Sequence, residues 1–384
     1  MPAGVPHDGD MTRFAPNAIM SLVGETPPHD LGESVSPELH LGDLLSGDLS
    51  DLSLGYGTAA GDPALRAAIA TSNGVDADEV VVTVGGMHSI FLIAFLLCSP
   101  GDEAVTVSPL FPMSRNALDA MGADVRVLPL TFEDGYRLDP ARLRPLLTPA
   151  TKLVSLASPQ NPSGVAFSPD TVREVLAIMA TQCPAAYLLL DETYREAAYG
   201  SDQVTASAAG LNDRVISVAS LSKCHGAAGL RIGWTITRDP KLRESLVLAK
   251  FNTVVTCSSV SETLALRIFQ NLENILASRR QSLSTGLAMV EQWVAENAAF
   301  VEWVRPDAGA ICCVRLKPAA FDDKAVESFY QTLQDHGVRV ANGTWFGEPA
   351  RVFRLGFGFL AEPELKAALD AFSAALRDRG FGEA

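Results

Sequence analysis

The chain has no apolar run long enough to cross a membrane: the longest, positions 90 to 98, is less than half of the ~20 residues a spanning helix needs and reads as a buried helix. It has no block of consecutive Lys and Arg either. With 30 basic against 45 acidic residues the formal net charge is -15, so a polyanion would be repelled and nucleic acid is excluded as an expected partner. Cysteine is scarce, at positions 98, 183, 224, 257, 312 and 313, with no C-x-x-C and no paired histidine spacing. Neither a disulfide framework nor a metal site is indicated. Cys224 stands apart only because it adjoins Lys223. The first twenty positions carry Asp8 and Asp10 but no charged-then-apolar signal pattern, and a cytoplasmic location is expected. Low-complexity tracts and internal repeats are also missing.

What is present is an ordinary globular balance, 47% hydrophobic and 20% charged over 384 residues, a length that calls for a large domain plus a smaller one. From about 77 to 234, short β-branched runs alternate with amphipathic stretches, the pattern of a largely parallel sheet covered by helices. The expected strands are 79–84, 103–107, 124–128, 152–157, 186–190, 215–219 and 232–237. Continuous apolar stretches such as Tyr187-Leu188-Leu189-Leu190 imply burial on both faces. A long helical region follows, from about 240 to 297. Then come a strand at 309–316, a helix at 325–336, strands at 337–341 and 351–357, and a final helix at 362–379, which together make a small α+β domain.

In open α/β sheets ligands lie beyond the C-terminal strand ends, and four such ends carry polar residues. Val84-Gly85-Gly86-Met87-His88 runs through two glycines into an apolar helix, where free N–H groups and the helix dipole favour a phosphate, although a plain tight connection has the same look. Ser158-Pro159-Gln160-Asn161-Pro162-Ser163-Gly164 is a turn-rich loop that sets the Asn161 amide at the sheet's edge, although by itself it reads as a plain turn. In Leu190-Asp191-Glu192-Thr193-Tyr194 a carboxylate follows a buried strand and needs either a cationic partner or a helix N-terminus to cap. Ser220-Leu221-Ser222-Lys223, with Gly226, Gly229, Arg231 and Gly233 behind it, places a lysine where desolvation would free its amine to attack a carbonyl.

These motifs, in this order and at these intervals, resemble the fold-type I pyridoxal-phosphate (PLP) enzymes of aminotransferase class I/II, and the resemblance runs from about Tyr56 to Gly358. It implies a seven-stranded, mostly parallel sheet in a large PLP-binding domain at 46–285. A small domain at 286–384 and an N-terminal segment at 1–45 packing with it complete the expected organisation. Lys223 would carry PLP as a Schiff base and shuttle the proton at the substrate's Cα. Asp191 would pair with the pyridinium nitrogen, Asn161 and Tyr194 with the phenolic oxygen, and Phe111 would stack on the ring. Gly86 and Met87 backbone N–H groups, the Ser220 and Ser222 hydroxyls and Arg231 would hold the phosphate. Tyr56 matches a tyrosine that reaches the neighbouring subunit's phosphate, which implies a homodimer with shared sites. Arg354, in Val352-Phe353-Arg354-Leu355-Gly356, matches the arginine that takes the substrate α-carboxylate, with Gly32 offering a backbone contact.

The implied reaction is transamination of an α-amino acid to its 2-oxo acid by a ping-pong cycle; the same cofactor residues would also serve a lyase, cyclase or oxidase acting on a modified, basic amino acid. The chain departs from the family pattern at Gln160 and at His225, where a bulky aromatic is frequent; His225 is expected to pack rather than to transfer protons. The stretch 251–266 holds no Arg, which argues against a second substrate carboxylate. Glu33, Asp43, Asp48 and Asp51 precede Tyr56 and would either attract a basic amino acid or lie solvated.

Overall fold

In the computed structural model of the chain, residues 13–23, 26–45, 49–200 and 204–378 are described; Asp48 and Arg379 lie outside them. Seven strands, β1 (Val80–Thr83), β2 (Glu103–Ser108), β3 (Asp124–Pro129), β4 (Thr151–Ala157), β5 (Tyr187–Asp191), β6 (Val215–Ser220) and β7 (Gly233–Thr237), form one sheet in the order β1-β7-β6-β5-β4-β2-β3. All neighbours are parallel except β7, which runs antiparallel to β1 and β6. The order reverses beside β2 and β4, and the C-terminal ends of β2, β4, β5 and β6 open onto one crevice.

Strand alternation divides the apolar side chains between two layers. Val154, Leu156, Leu188 and Leu190 face one core, while Leu153, Leu189, Ile216 and Val218 face the other. Helices close both faces: α1 (Pro63–Asn73), α2 (Gly86–Leu97), α3 (Pro112–Ala120), α4 (Pro169–Gln182), α5 (Pro240–Val254), α6 (Ser259–Gln270) and α7 (Leu272–Glu296). Three of them start in the same way. Asp62, Ser168 and Asp239 accept N–H bonds at the N-caps of α1, α4 and α5, and a proline follows each in the first turn, where its missing donor and fixed φ do no harm. Each cap contributes about 1 kcal/mol.

The helical region expected over 240–297 is three helices. Val255 ends α5 in the left-handed region at φ 62, and Asn271 closes α6 and opens α7; the β-branched run Val254-Val255-Thr256 is a weak helix former. A second sheet holds β8 (Val301–Val304), β9 (Ile311–Leu316), β10 (Ala341–Asn342) and β11 (Val352–Gly356) in the order β10-β11-β9-β8, covered by α8 (Asp323–Asp335) and α9 (Glu362–Arg377). β8 escaped the sequence reading because a four-residue Val-Glu-Trp-Val segment after a helix has no period of its own. The expected strand at 337–341 is split: Val338–Arg339 pairs with His29–Asp30, whereas β10 pairs with β11. Leu31, from the N-terminal segment, is fully buried in the same core as Leu283, Leu287, Phe353 and Phe372. No helix among the described residues is long and apolar enough to cross a membrane.

Candidate active site

A cavity of about 380 Å³ opens at the crevice, walled by Ile90, Leu110, Met113, Leu156 and Leu189. Gly86, Met87, Phe111, Asn161, Asp191, Tyr194, Ser220, Ser222, Lys223 and Arg231 all line it. Residues from α2, the loops after β2, β4 and β5, and the turn after β6 are thus brought to one place.

One end is built for an anion. Gly85 caps α2 at φ 75 and its carbonyl accepts the His88 N–H at 3.2 Å, but no side chain caps the helix; Gly86 and Met87, whose N–H groups have no intrahelical acceptor, line the cavity. A Cβ at Gly85 would stand 2.4 Å from an Arg231 terminal nitrogen, and one at Gly233 would stand 2.6 Å from the Gly86 nitrogen; the glycines let the guanidinium and the helix start close on each other. Arg231, itself left-handed at φ 54, donates to the Ser222 hydroxyl at 3.4 Å and to the Ala228 carbonyl at 3.0 Å. The Ser220 hydroxyl accepts the Ser222 N–H at 3.3 Å.

The other end holds the titratable groups. Burial raises the Asp191 carboxyl, against the Thr193 hydrogen bonds. Thr193 donates to Asp191 Oδ1 through its backbone N–H at 3.0 Å and its hydroxyl at 2.6 Å, and no cation pairs with this carboxylate among the described residues. The helix-capping alternative fails, since a turn rather than a helix follows β5. Lys223 Nζ donates to the Ser34 hydroxyl at 2.9 Å. Burial brings this amine down to about 8, with Arg354 acting in the same direction and Glu33 and Asp191 opposing. Among the described residues no group makes a well-formed hydrogen bond to the buried Tyr194 hydroxyl; burial pushes it up to about 12, while Arg354 and the nearby Ser34 hydroxyl pull the other way.

Arg354 is 1% exposed. It donates to Asn161 Oδ1 at 2.9 Å and to the Gly32 carbonyl at 2.7 Å, and its guanidinium lies 4.9 Å from the Phe346 ring centre. Its Nε is buried without a partner, and it makes no ion pair among the described residues. Gly32 therefore meets Arg354 through its carbonyl, because its N–H already donates to Asp30 Oδ1 at 2.9 Å.

These observations fit PLP. A pocket lined by an open helix N-terminus with an arginine, by a carboxylate that no cation pairs among the described residues and by a desolvated lysine matches a phosphate, a cationic ring nitrogen and an aldehyde carbon in turn. The family profile described as aminotransferase class I and II matches residues 48–372. The chain belongs to the aminotransferase class I and II family. It is 29% identical to the arginine–pyruvate transaminase of Pseudomonas aeruginosa over 80% of this chain and 79% of that protein. It is 30% identical to the capreomycidine synthase of Streptomyces vinaceus over 87% and 86%. A crystal structure of a PLP-dependent aminotransferase from Streptococcus suis superposes with TM-score 0.84 at 26% identity, covering 93% of this chain and 95% of that one. As a member of this family the chain is a PLP-dependent aminotransferase of fold type I.

Other residues lie elsewhere in this aminotransferase. Tyr56 is 87% exposed and outside the cavity. His225 is buried, with Nε2 3.0 Å from Glu196 Oε2 and its ring against Phe269, away from the cavity lining, so it packs. Cys224 is buried, and its thiol, pushed up to about 12 by burial, donates to the Thr193 carbonyl. Asp43 caps a single helical turn by accepting the His40 N–H, and Asp51 is exposed. Of the four acids, Glu33 acts on both Lys223 and Arg354. Sequence reasoning missed Ser34, since a lone serine in a loop carries no signal.

Proposed function

We propose that this enzyme transaminates an α-amino acid against a 2-oxo acid, using Lys223 as the PLP-bearing and proton-carrying residue. The observation that carries this reading is Arg354, a buried guanidinium with no ion-pair partner among the described residues, tied through Gly32 to the segment that contacts Lys223 Nζ. Such a fork is the partner of choice for an α-carboxylate. PLP, when bound, supplies an electron sink conjugated to the substrate's Cα. Asp191 would keep the ring nitrogen protonated, Asn161 and Tyr194 would donate to the phenolic oxygen, and Phe111 would cover the ring. Gly86, Met87, Ser220, Ser222 and Arg231 would hold the phosphate. A depressed pKa lets Lys223 release and recover a proton near neutrality.

A homodimer is part of the proposal. Phe95 on α2 and Leu248, Phe251, Val254 and Val255 on α5 and its end are exposed, an apolar surface of the kind that subunits cover. Tyr56 would reach the phosphate of the second copy. Six free, buried cysteines suit the reducing cytoplasm.

A second reading, a cyclase, lyase or oxidase on a modified basic amino acid, is supported by the likeness to capreomycidine synthase. One experiment separates them: absorbance of the purified protein before and after a panel of amino acids, including arginine and phenylalanine, with 2-oxo acid assayed in parallel. Conversion to the pyridoxamine form, reversed by a 2-oxo acid, establishes transamination. Ammonia release, oxygen uptake or ring closure without conversion of the cofactor to the pyridoxamine form establishes the second reading.

A further inference from the structure

We propose that Ser34 is a catalytic residue, whose hydroxyl holds Lys223 Nζ at the reacting centre in both of its protonation states. The proposal rests on the reading of Lys223 as the PLP-bearing residue.

Ser34 is 5% exposed and accepts a 2.9 Å hydrogen bond from Lys223 Nζ. Its place relative to the lysine is fixed by backbone contacts. Ser36 N donates to the Lys223 carbonyl at 3.2 Å, Leu39 N donates to the Gly226 carbonyl at 2.8 Å, and Gly356 N donates to the Leu31 carbonyl at 2.8 Å. Gly226 makes this approach possible: at φ 67, a Cβ on it would lie 2.1 Å from the Pro37 carbonyl oxygen. The segment that carries Ser34 is therefore strapped to the lysine's own turn on one side and to β11 on the other.

A hydroxyl is the group that suits this position. It accepts from an ammonium and donates to a neutral amine, so the contact survives when Nζ loses its proton. A carboxylate there would hold the amine permanently charged, and an apolar side chain would leave it a buried donor with no acceptor. Ser34 accepts the hydrogen bond and not the proton, which stays on Nζ until it is delivered to the substrate carbon. A hydrogen bond to the charged amine is stronger than one to the neutral amine, so the serine also raises the proton affinity that burial depresses.

The test compares wild type, Ser34→Ala, Ser34→Val and Ser34→Thr in two assays: the rate at which apoprotein captures PLP as a function of pH, and the rate at which holoenzyme exchanges the Cα deuterium of an amino acid. In wild type and Ser34→Thr the capture midpoint is expected near the Lys223 value of about 8. In Ser34→Ala it is expected about one pH unit lower, which makes capture at pH 7 roughly five-fold faster, while Cα exchange slows by about ten-fold. Ser34→Val, the shape of threonine without its hydroxyl, should follow alanine and carries the test should alanine fail to fold. An unshifted midpoint with unchanged exchange in Ala and Val overturns the proposal. So does a Thr variant displaced as far as Ala, which would mean that only packing matters. Wild-type apoprotein that never captures PLP would instead remove the PLP-lysine reading beneath it.

Discussion

Replacing Arg354 by lysine keeps the charge and removes the fork. In the present geometry one arm of the guanidinium serves Asn161 and the other the Gly32 carbonyl, with Nε left over. A bound carboxylate would take two parallel N–H donors from this group. Lysine, a single point of contact on a flexible stem, would forfeit at least one charge-assisted hydrogen bond of about 1.5–3 kcal/mol. At about 1.4 kcal/mol per decade that is a loss of roughly 10- to 150-fold in kcat/KM. The α-carboxylate is bound in ground and transition states alike, so most of the loss is expected in KM, for amino acid and 2-oxo acid both. The assay is the amino-acid half-reaction, followed as cofactor absorbance against substrate concentration. Arg354 does not line the cavity, so PLP should be retained. An Arg354→Lys enzyme with wild-type KM would refute the role assigned to the arginine. Loss of PLP in step with loss of activity would refute the separation between carboxylate and cofactor sites.

Three further outcomes follow from the same geometry. Asp191→Asn should bind PLP but lose at least about 100-fold in kcat, since an amide cannot stabilise a protonated ring nitrogen; single-turnover rates at saturating PLP measure it. Gly233→Ala should weaken PLP binding by about ten-fold or more and destabilise the fold by about 1–3 kcal/mol, because the added methyl would sit 2.5 Å from the Gly85 carbonyl carbon; a PLP titration and a melting curve read both. Lys223→Met should stabilise the apoprotein at pH 7. Burial lowers the Lys223 pKa from 10.5 to about 8, so between those values the unfolded chain binds more protons and wild-type stability rises with pH. The lysine's cost is fully present below pH 8 and gone above 10.5, about 3 kcal/mol in all at 1.36 kcal/mol per unit. Denaturant melts of both apoproteins at pH 7 and pH 10.5 should show the gap and its closing.

The sequence by itself determined the layered α/β architecture, because β-branched runs, caps followed by proline, and glycines at strand ends act through local geometry. It also marked Asp191, Asn161, Ser220 and Lys223, which stand at or just beyond the C-terminal strand ends where a parallel sheet must gather its ligands, and Arg231, which leads into β7. Tertiary structure alone decided the rest. The four-residue strand β8 exists because β9 offers it a partner, and the region at 337–341 divides because two different neighbours bind its halves. His225 is a packing residue because Glu196 and Phe269 surround it. Ser34 reaches Lys223 across 189 positions of sequence, and Gly32 reaches Arg354 across 322. Such contacts leave no periodicity or motif in the chain; they arise when hydrogen bonding and apolar burial seat the N-terminal segment between the two sheets.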